Sequence, residues 1–191
     1  MRVFLDVGAH NGQTLEAVKP AEFEFDQIVC FEPAPQCWSA LQALADDRVR
    51  IEYFGLWNRT ENKPLYQPGT MGAGMWKKDG GKSDRTEVCS FVQASLWTKL
   101  YIRRGDTVFL KLNCEGAECD IVDDLLDSGE FEKISHLMID FDVRKIESMK
   151  HRQAEVMERL KPYPFPRVAS KESRLGATHA ERIQHWLRLC H

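Results

Sequence analysis

The sequence has no CxxC pair, no stretch of about 18 uninterrupted apolar residues, no internal repeat and no surplus of positive charge. Its six cysteines, Cys30, Cys37, Cys89, Cys114, Cys119 and Cys190, are scattered, and several lie in apolar runs where a thiol packs as a small hydrophobe. Reduced core cysteines are therefore expected. Without a long apolar run there is no candidate transmembrane helix, and the N-terminus enters Val3-Phe4-Leu5 with no cleavable signal pattern, so a cytoplasmic protein is expected. The Asn58-Arg59-Thr60 sequon carries little meaning in that setting. A net charge of -3 with 29% charged residues leaves no basis for affinity driven by phosphate neutralisation, which argues against a nucleic-acid partner. The histidines show no HExxH or finger spacing, and Asp140 with Asp142 alone is too little for a site, so no metal is expected.

What is present is an alternation. Short apolar, β-branched runs at Arg2–Val7, Gln27–Phe31, 49–54, Thr107–Leu112 and 135–141 read as strands. Between them lie helical patterns: Gln13–Val18, ended by Pro20; a stripe of Trp38, Leu41, Leu44 and Ala45 after Pro35; and Ile121, Val122, Leu125 and Leu126, closed by Ser128-Gly129. A further helix is expected over 148–160. Such alternation implies a mainly parallel sheet flanked by helices, and 191 residues suit one such domain spanning 1–191. The segment 67–85, with Pro68, Gly69, Gly72, Gly74, Gly80 and Gly81, reads as a long mobile loop. Its Met71, Met75 and Trp76 suit either a lid over a ligand or a plain insertion. Pro162, Pro164 and Pro166 forbid a continuous helix near the C-terminus, and Thr178-His179-Ala180-Glu181 reads as a capping box opening a final helix.

Asp6-Val7-Gly8-Ala9-His10-Asn11-Gly12 follows the first strand and leads into a helix, the setting of a nucleotide loop. Gly8 permits a tight turn, and Gly12 would let amides at the helix start approach a ligand. The first glycine of the G-x-G-x-x-G fingerprint is absent and Asp6 precedes the turn, which favours a ligand bearing an ammonium group over a pyrophosphate. Glu32 ends the second strand, 20 residues beyond Gly12, the spacing of an acid that binds ribose hydroxyls.

Three segments, Asp6-x-Gly8-Ala9-x-x-Gly12, Phe31-Glu32-Pro33 and Lys111-Leu112-Asn113-Cys114-Glu115-Gly116-Ala117-Glu118, together resemble the FkbM methyltransferases, whose motifs read D-V-G-A-N-x-G, F-E-P and K-x-D-x-E-G-x-E in the same order. The resemblance runs from about Val3 to Phe141. It implies a Rossmann-like class I methyltransferase fold, S-adenosyl-L-methionine as methyl donor, and a hydroxyl on a small-molecule or carbohydrate-like acceptor. Asp6, Gly8, Ala9, Asn11, Gly12, Thr14 and Glu32 are then the candidates for donor binding. The sequence departs from the pattern at Asn113, where the family has Asp, and in its short, Pro-rich tail, which leaves the C-terminal edge of the sheet reduced.

Methyl transfer from a sulfonium needs acceptor and methyl held in line, with a base for the departing hydroxyl proton. Residues at strand C-termini line the crevice of such sheets, which nominates Glu115, Asn113 and Asp140 as catalytic candidates, Glu115 first. The alternative for Glu115 is helix-start chemistry shared with Glu118. Lys111, Asn113 and Glu115 alternate along the fourth strand and its extension, and Lys111 is expected to pair with Glu115 or Asp6. His10, on the loop, has a packing role as its simpler reading. Glu32→Ala is expected to injure donor binding and spare the fold. The competing functions are a nicotinamide-dependent oxidoreductase, against which the incomplete glycine fingerprint counts, and a donor-binding domain without turnover.

Overall fold

The computed structural model describes residues 1–77, 85–170 and 175–190. Its main sheet has six strands: β1 (Arg2–Val7), β2 (Gln27–Phe31), β3 (Val49–Glu52), β7 (Thr107–Leu112), β8 (His136–Ile139) and β9 (Val168–Ser170). They lie in the order β3-β2-β1-β7-β8-β9, every neighbouring pair parallel. β1 is central, and its Val3, Phe4, Leu5, Asp6 and Val7 are all buried, as a strand covered on both faces requires. The chain steps outward from β1 to β3 and then returns to the other side of β1 at β7. This reversal opens a crevice above the C-terminal ends of β1 and β7.

Among the described residues, six α-helices cover the sheet. α1 (Gln13–Val18) and α6 (His179–Leu189) bury Leu15, Val18, Ile183, Trp186 and Leu187 with Phe4, Ile28 and Phe109 from one side of the strands. α3 (Ala94–Tyr101), α4 (Glu118–Ser128) and α5 (His151–Leu160) bury Trp97, Cys119, Ile121, Val122, Val156 and Leu160 with Val3, Leu5, Leu110 and Leu112 from the other. α2 (Pro35–Leu44) starts with proline in its first turn and sends Leu41 to one core and Cys37 to the other. Gly129, with φ of 76°, ends α4 in the left-handed conformation. No helix among the described residues is long and apolar enough to cross a membrane.

Several expectations from sequence needed adjustment. The run 49–54 is a strand only to Glu52; the chain then bends and enters β4 (Gly55–Trp57). β4 belongs to a second, three-stranded sheet with β6 (Thr86–Gln93) and β5 (Glu61–Tyr66), in the order β4-β6-β5. β5 accommodates Pro64 because it is an edge strand. The run 135–141 pairs only over β8, and the expected helix over 148–160 is a short 3-10 turn, Glu147–Met149, followed by α5. On the C-terminal side, β9 supplies a sixth parallel strand.

The final helix begins at the capping box. The Glu181 amide donates to Thr178 Oγ1 at 3.2 Å, and the Thr178 amide donates to Glu181 Oε2 at 3.0 Å. α6 is then fastened across the sheet by Trp186, which packs edge-on against Phe4 and Phe109 at centroid distances of 6.3 and 5.7 Å. Gln184 Nε2 adds a bond to the Ala17 carbonyl at 3.2 Å. Trp186→Ala should therefore cost about 3–5 kcal/mol in chemical unfolding. A loss below about 1 kcal/mol would mean that α6 is not seated on the sheet.

Candidate functional site

The crevice above β1 and β7 is an open cleft of about 930 Å³, the solvent in its mouth included. Its floor is built on a buried ion pair. Asp6 and Lys111 are register neighbours on β1 and β7, and Lys111 Nζ donates to Asp6 Oδ1 at 2.9 Å. The same ammonium donates to the carbonyls of Gly8 at 3.0 Å and Val7 at 3.4 Å, so all three of its protons are engaged. Asp6 is thus a fully buried counter-ion beneath the loop and does not line the cleft. Of the two partners expected for Lys111, the structure selects Asp6.

Gly8 and Ala9 bend over this pair, both amides donating to the Phe31 carbonyl at 3.1 and 3.2 Å. Gly8 has φ of 79°, and a Cβ there would stand 2.1 Å from the Asn113 carbonyl oxygen, so only glycine fits between the two loops. Gly12 has φ of 89°, a left-handed conformation that favours glycine, and it lies outside the cleft lining; a Cβ there would meet only the movable tip of the Leu44 side chain. Asn11 is exposed and also outside it, whereas Ala9 and Thr14 line the cleft.

Glu32 lines the cleft at the end of β2 and is fixed by two loops. Its Oε2 accepts the His10 amide and its Oε1 the Ala34 amide, both at 2.8 Å. Burial raises its carboxyl above the ordinary carboxylate range, against the opposing pull of these amides. This corrects the expectation that Glu32→Ala spares the fold, because that change strands two amide donors at a cost of about 1–3 kcal/mol each.

Asn113, Cys114 and Glu115 follow β7 along the opposite wall. Glu115 has φ of 54°, and its carboxylate receives Lys145 Nζ at 3.1 Å. Lys145 also reaches the buried Asp142 at 2.8 Å. Burial raises the Asp142 carboxyl above its ordinary range, with Lys145 opposing and Glu115 adding to the rise. For Lys145, burial works against the charge but is outweighed by Asp142 and Glu115, and its ammonium titrates above the usual value. Asp140 lies outside the cleft lining, ion-paired with Arg144 at 3.2 Å.

Glu118 turns back under this wall. Its Oε1 accepts the amides of Cys114 and Gly116 at 3.1 Å, and its Oε2 accepts that of Gly116 at 3.0 Å. It is fully buried, which pushes its pKa up to about 7.

Of the remaining walls, only Met71 and Met75 are legible in sequence, as part of a lid over a ligand or of a plain insertion. Leu56 of β4, Leu65 of β5 and Phe91 of β6 bring the second sheet to the cleft, and His179 arrives on α6. Thr70, Met71, Ala73 and Met75 come from the glycine-rich loop, which is held in place over residues 67–77. There His10 Nε2 approaches the Gly69 carbonyl at 3.4 Å, and Tyr66 and Gly74 exchange backbone bonds at 2.8 and 3.2 Å. The part containing Gly80 and Gly81 lies outside the described residues. Of the four non-glycine residues with positive φ among the described residues, His10 and Glu115 line the cleft, Gln67 begins the glycine-rich loop and Glu24 lies away from the lining. Among the described residues no cluster of three or more His, Cys, Asp and Glu side chains suits a metal ion.

Among solved structures, the fold is similar to that of the methyltransferase FkbM from Methylobacillus flagellatus KT, with a TM-score of 0.55 and 15% sequence identity. The fold is Rossmann-like. The match covers 85% of this chain and 38% of that one, so the chain spans well under half the length of that structure. At this identity the likeness speaks for the fold alone. No family profile matches the chain, and no curated protein does.

Two measurements follow. Lys111→Met leaves Asp6 buried without a counter-charge and should cost about 3–5 kcal/mol in urea unfolding, part of it recovered in Asp6→Asn/Lys111→Met. A loss under about 1 kcal/mol would mean that Asp6 is hydrated. Glu118 holds its proton in the folded chain up to about pH 7 and releases it near 4.5 when unfolded. Its contribution to stability should therefore fall as pH rises from 4.5 to 7, by on the order of 3 kcal/mol in all. Glu118→Gln should lack this slope; the same slope in both proteins would assign it to another group.

Proposed function

We propose that this chain is an S-adenosylmethionine-dependent methyltransferase acting on a hydroxyl of a small-molecule or carbohydrate-like acceptor. The observation that carries the reading is the charge of the cleft. Among the described residues, Glu32 and Glu115 line it, Glu115 already paired with Lys145, and the one lysine in the lining, Lys111, is consumed by Asp6 and two carbonyls. A pyrophosphate would find the Glu32 carboxyl and no lysine left to donate among these residues, whereas a cationic sulfonium donor is the better match in charge. This favours the methyl donor over a nicotinamide dinucleotide on the same fold.

The residues fit such a donor. Glu32, rigidly held at the end of β2, has lone pairs left for ribose hydroxyls after accepting two amides. Asn113 Oδ1 is a buried acceptor with no partner in the structure, suited to the donor's ammonium. Gly8, Ala9 and Thr14 supply the adjoining wall. The group brings an electrophilic methyl on a sulfonium; everything else is asked of the chain.

Asn113 cannot take up a proton, so the role of base for the acceptor hydroxyl falls to Glu115. Lys145 holds that carboxylate and is itself anchored on Asp142. Leu56, Leu65, Phe91, Met71 and Met75 provide an apolar wall that excludes water from the methyl.

Calorimetric titration of the ligand-free protein tests the reading directly. S-adenosylhomocysteine should bind saturably and NADH should not, and Glu32→Gln should weaken S-adenosylhomocysteine by at least about tenfold. Binding of NADH alone would transfer the chain to the oxidoreductases. Unchanged affinity in the variant would remove Glu32 from the ribose.

A further inference from the structure

Beside the wall that carries Glu115 lies a 3-10 turn, Asp142–Lys145, just beyond the C-terminal end of β8. The turn is firmly seated: Val143 is fully buried in the core, and Ile146, the next residue, lies so near Gly116 that a Cβ there would meet it at 2.8 Å. Asp142 and Lys145, at i and i+3, fall on one side of the turn. Lys145 Nζ stands 2.8 Å from Asp142 Oδ1 and donates to the two Glu115 oxygens at 3.1 and 3.3 Å. One ammonium is therefore shared by two carboxyl groups in different settings. Glu115 lines the cleft, whereas Asp142 is buried and lies outside the lining.

Charged and titratable groups face Asp142 from three elements. Lys145 and Arg144 stand on its own turn, Arg144 at 3.4 Å; Cys114 and Glu115 come from the loop after β7, and Glu118 from α4. An ammonium held by Glu115 alone would favour its ionised form and so make it a poor base. Asp142 divides that attraction, because it takes the same ammonium at the shorter distance. When Glu115 is protonated, Asp142 remains as the counter-ion of Lys145.

We infer that Asp142 is a positioning residue for methyl transfer, acting through Lys145: it keeps the ammonium shared, so that the Glu115 carboxylate remains able to take the acceptor's proton. This rests on the proposed function and deepens it. In the step so assisted, the acceptor oxygen bonds to the methyl carbon, the C–S electron pair stays on sulfur, and the O–H proton passes to a Glu115 oxygen. The positive charge of the donor and the negative charge of Glu115 disappear together, and Lys145 is left to Asp142. A bridge that only fastened the turn to the loop would be loosened alike by removing either end. Sharing makes the two removals act on Glu115 in opposite directions.

The test is a pH titration of the ligand-free full chain labelled with carbon-13 at the glutamate side-chain carboxyls, the Glu115 signal being assigned by its loss in Glu115→Gln. Lys145→Met should raise the Glu115 midpoint by about one pH unit or more, because the neighbouring cation is gone. Asp142→Asn should lower it, because Lys145 then belongs to Glu115, and Lys145→Arg should stay close to wild type. Thermal melts of each variant report folding separately, and calorimetric titration of wild type with S-adenosylhomocysteine is run beside them. Movement of Glu115 in the same direction in Lys145→Met and Asp142→Asn, or in neither, would overturn the role of Asp142 and leave the donor reading intact. A wild type that binds no S-adenosylhomocysteine would overturn the donor reading, and with it any part for Asp142 in methyl transfer.

Discussion

The cleft depends on one buried ion pair. Asp6 and Lys111 face each other across β1 and β7, where a charge without a partner would be strongly destabilising. Because Lys111 satisfies Asp6 and also holds the Val7 and Gly8 carbonyls, it sets the path of the chain as it leaves β1. That path fixes the approach of Gly8 to Asn113 and the two amide bonds to Phe31. Glu32 then ties the next turn of the same loop through the His10 amide. The polar floor is thus a chain of mutual constraints, with the cleft-facing groups attached at its edge.

Much of this was legible in sequence, and the reasons are physical. β1, β2 and β7 are buried on both faces, so their residues form continuous apolar runs with recognisable ends. α1 and α4 carry glycine or proline at their boundaries, and α6 carries a reciprocal cap. The second sheet was not legible. β5 is a polar edge strand containing Pro64, and β6 buries Cys89 and Phe91 on one face while exposing Val88, which blurs its alternation. Glycines mislead in a related way. Gly8 and Gly12 look alike in the motif, yet the first is demanded by a facing backbone at the cleft and the second by its own left-handed conformation outside it.

At the site, position along a strand was informative and direction was not. Glu32 and Glu115 were found as strand-end acids, and both line the cleft. Asp140 has the same credentials but turns to Arg144. Asp6 precedes the glycine turn as a ligand-facing acid would, but its register partner on β7 is a lysine. Lys111 had two carboxylates to choose from in sequence, Glu115 nearby and Asp6 105 residues away, and no local pattern decides between them. His179 is the extreme case, since its sequence context announces only the start of a helix.

The separation of Asp6 from Lys111 also bears on how the chain acquires its shape. The central strand cannot be dehydrated safely until its counter-ion arrives, so hairpin-like or neighbouring-strand contacts alone cannot complete the nucleus around β1. Ordering must wait for a loop of about a hundred residues to close, the situation in which topology slows folding most. On a ribosome, β1 and β2 emerge well before β7, and Asp6 stays in water during that interval. The charge that gives the finished cleft its floor thereby discourages premature collapse of the first half of the chain.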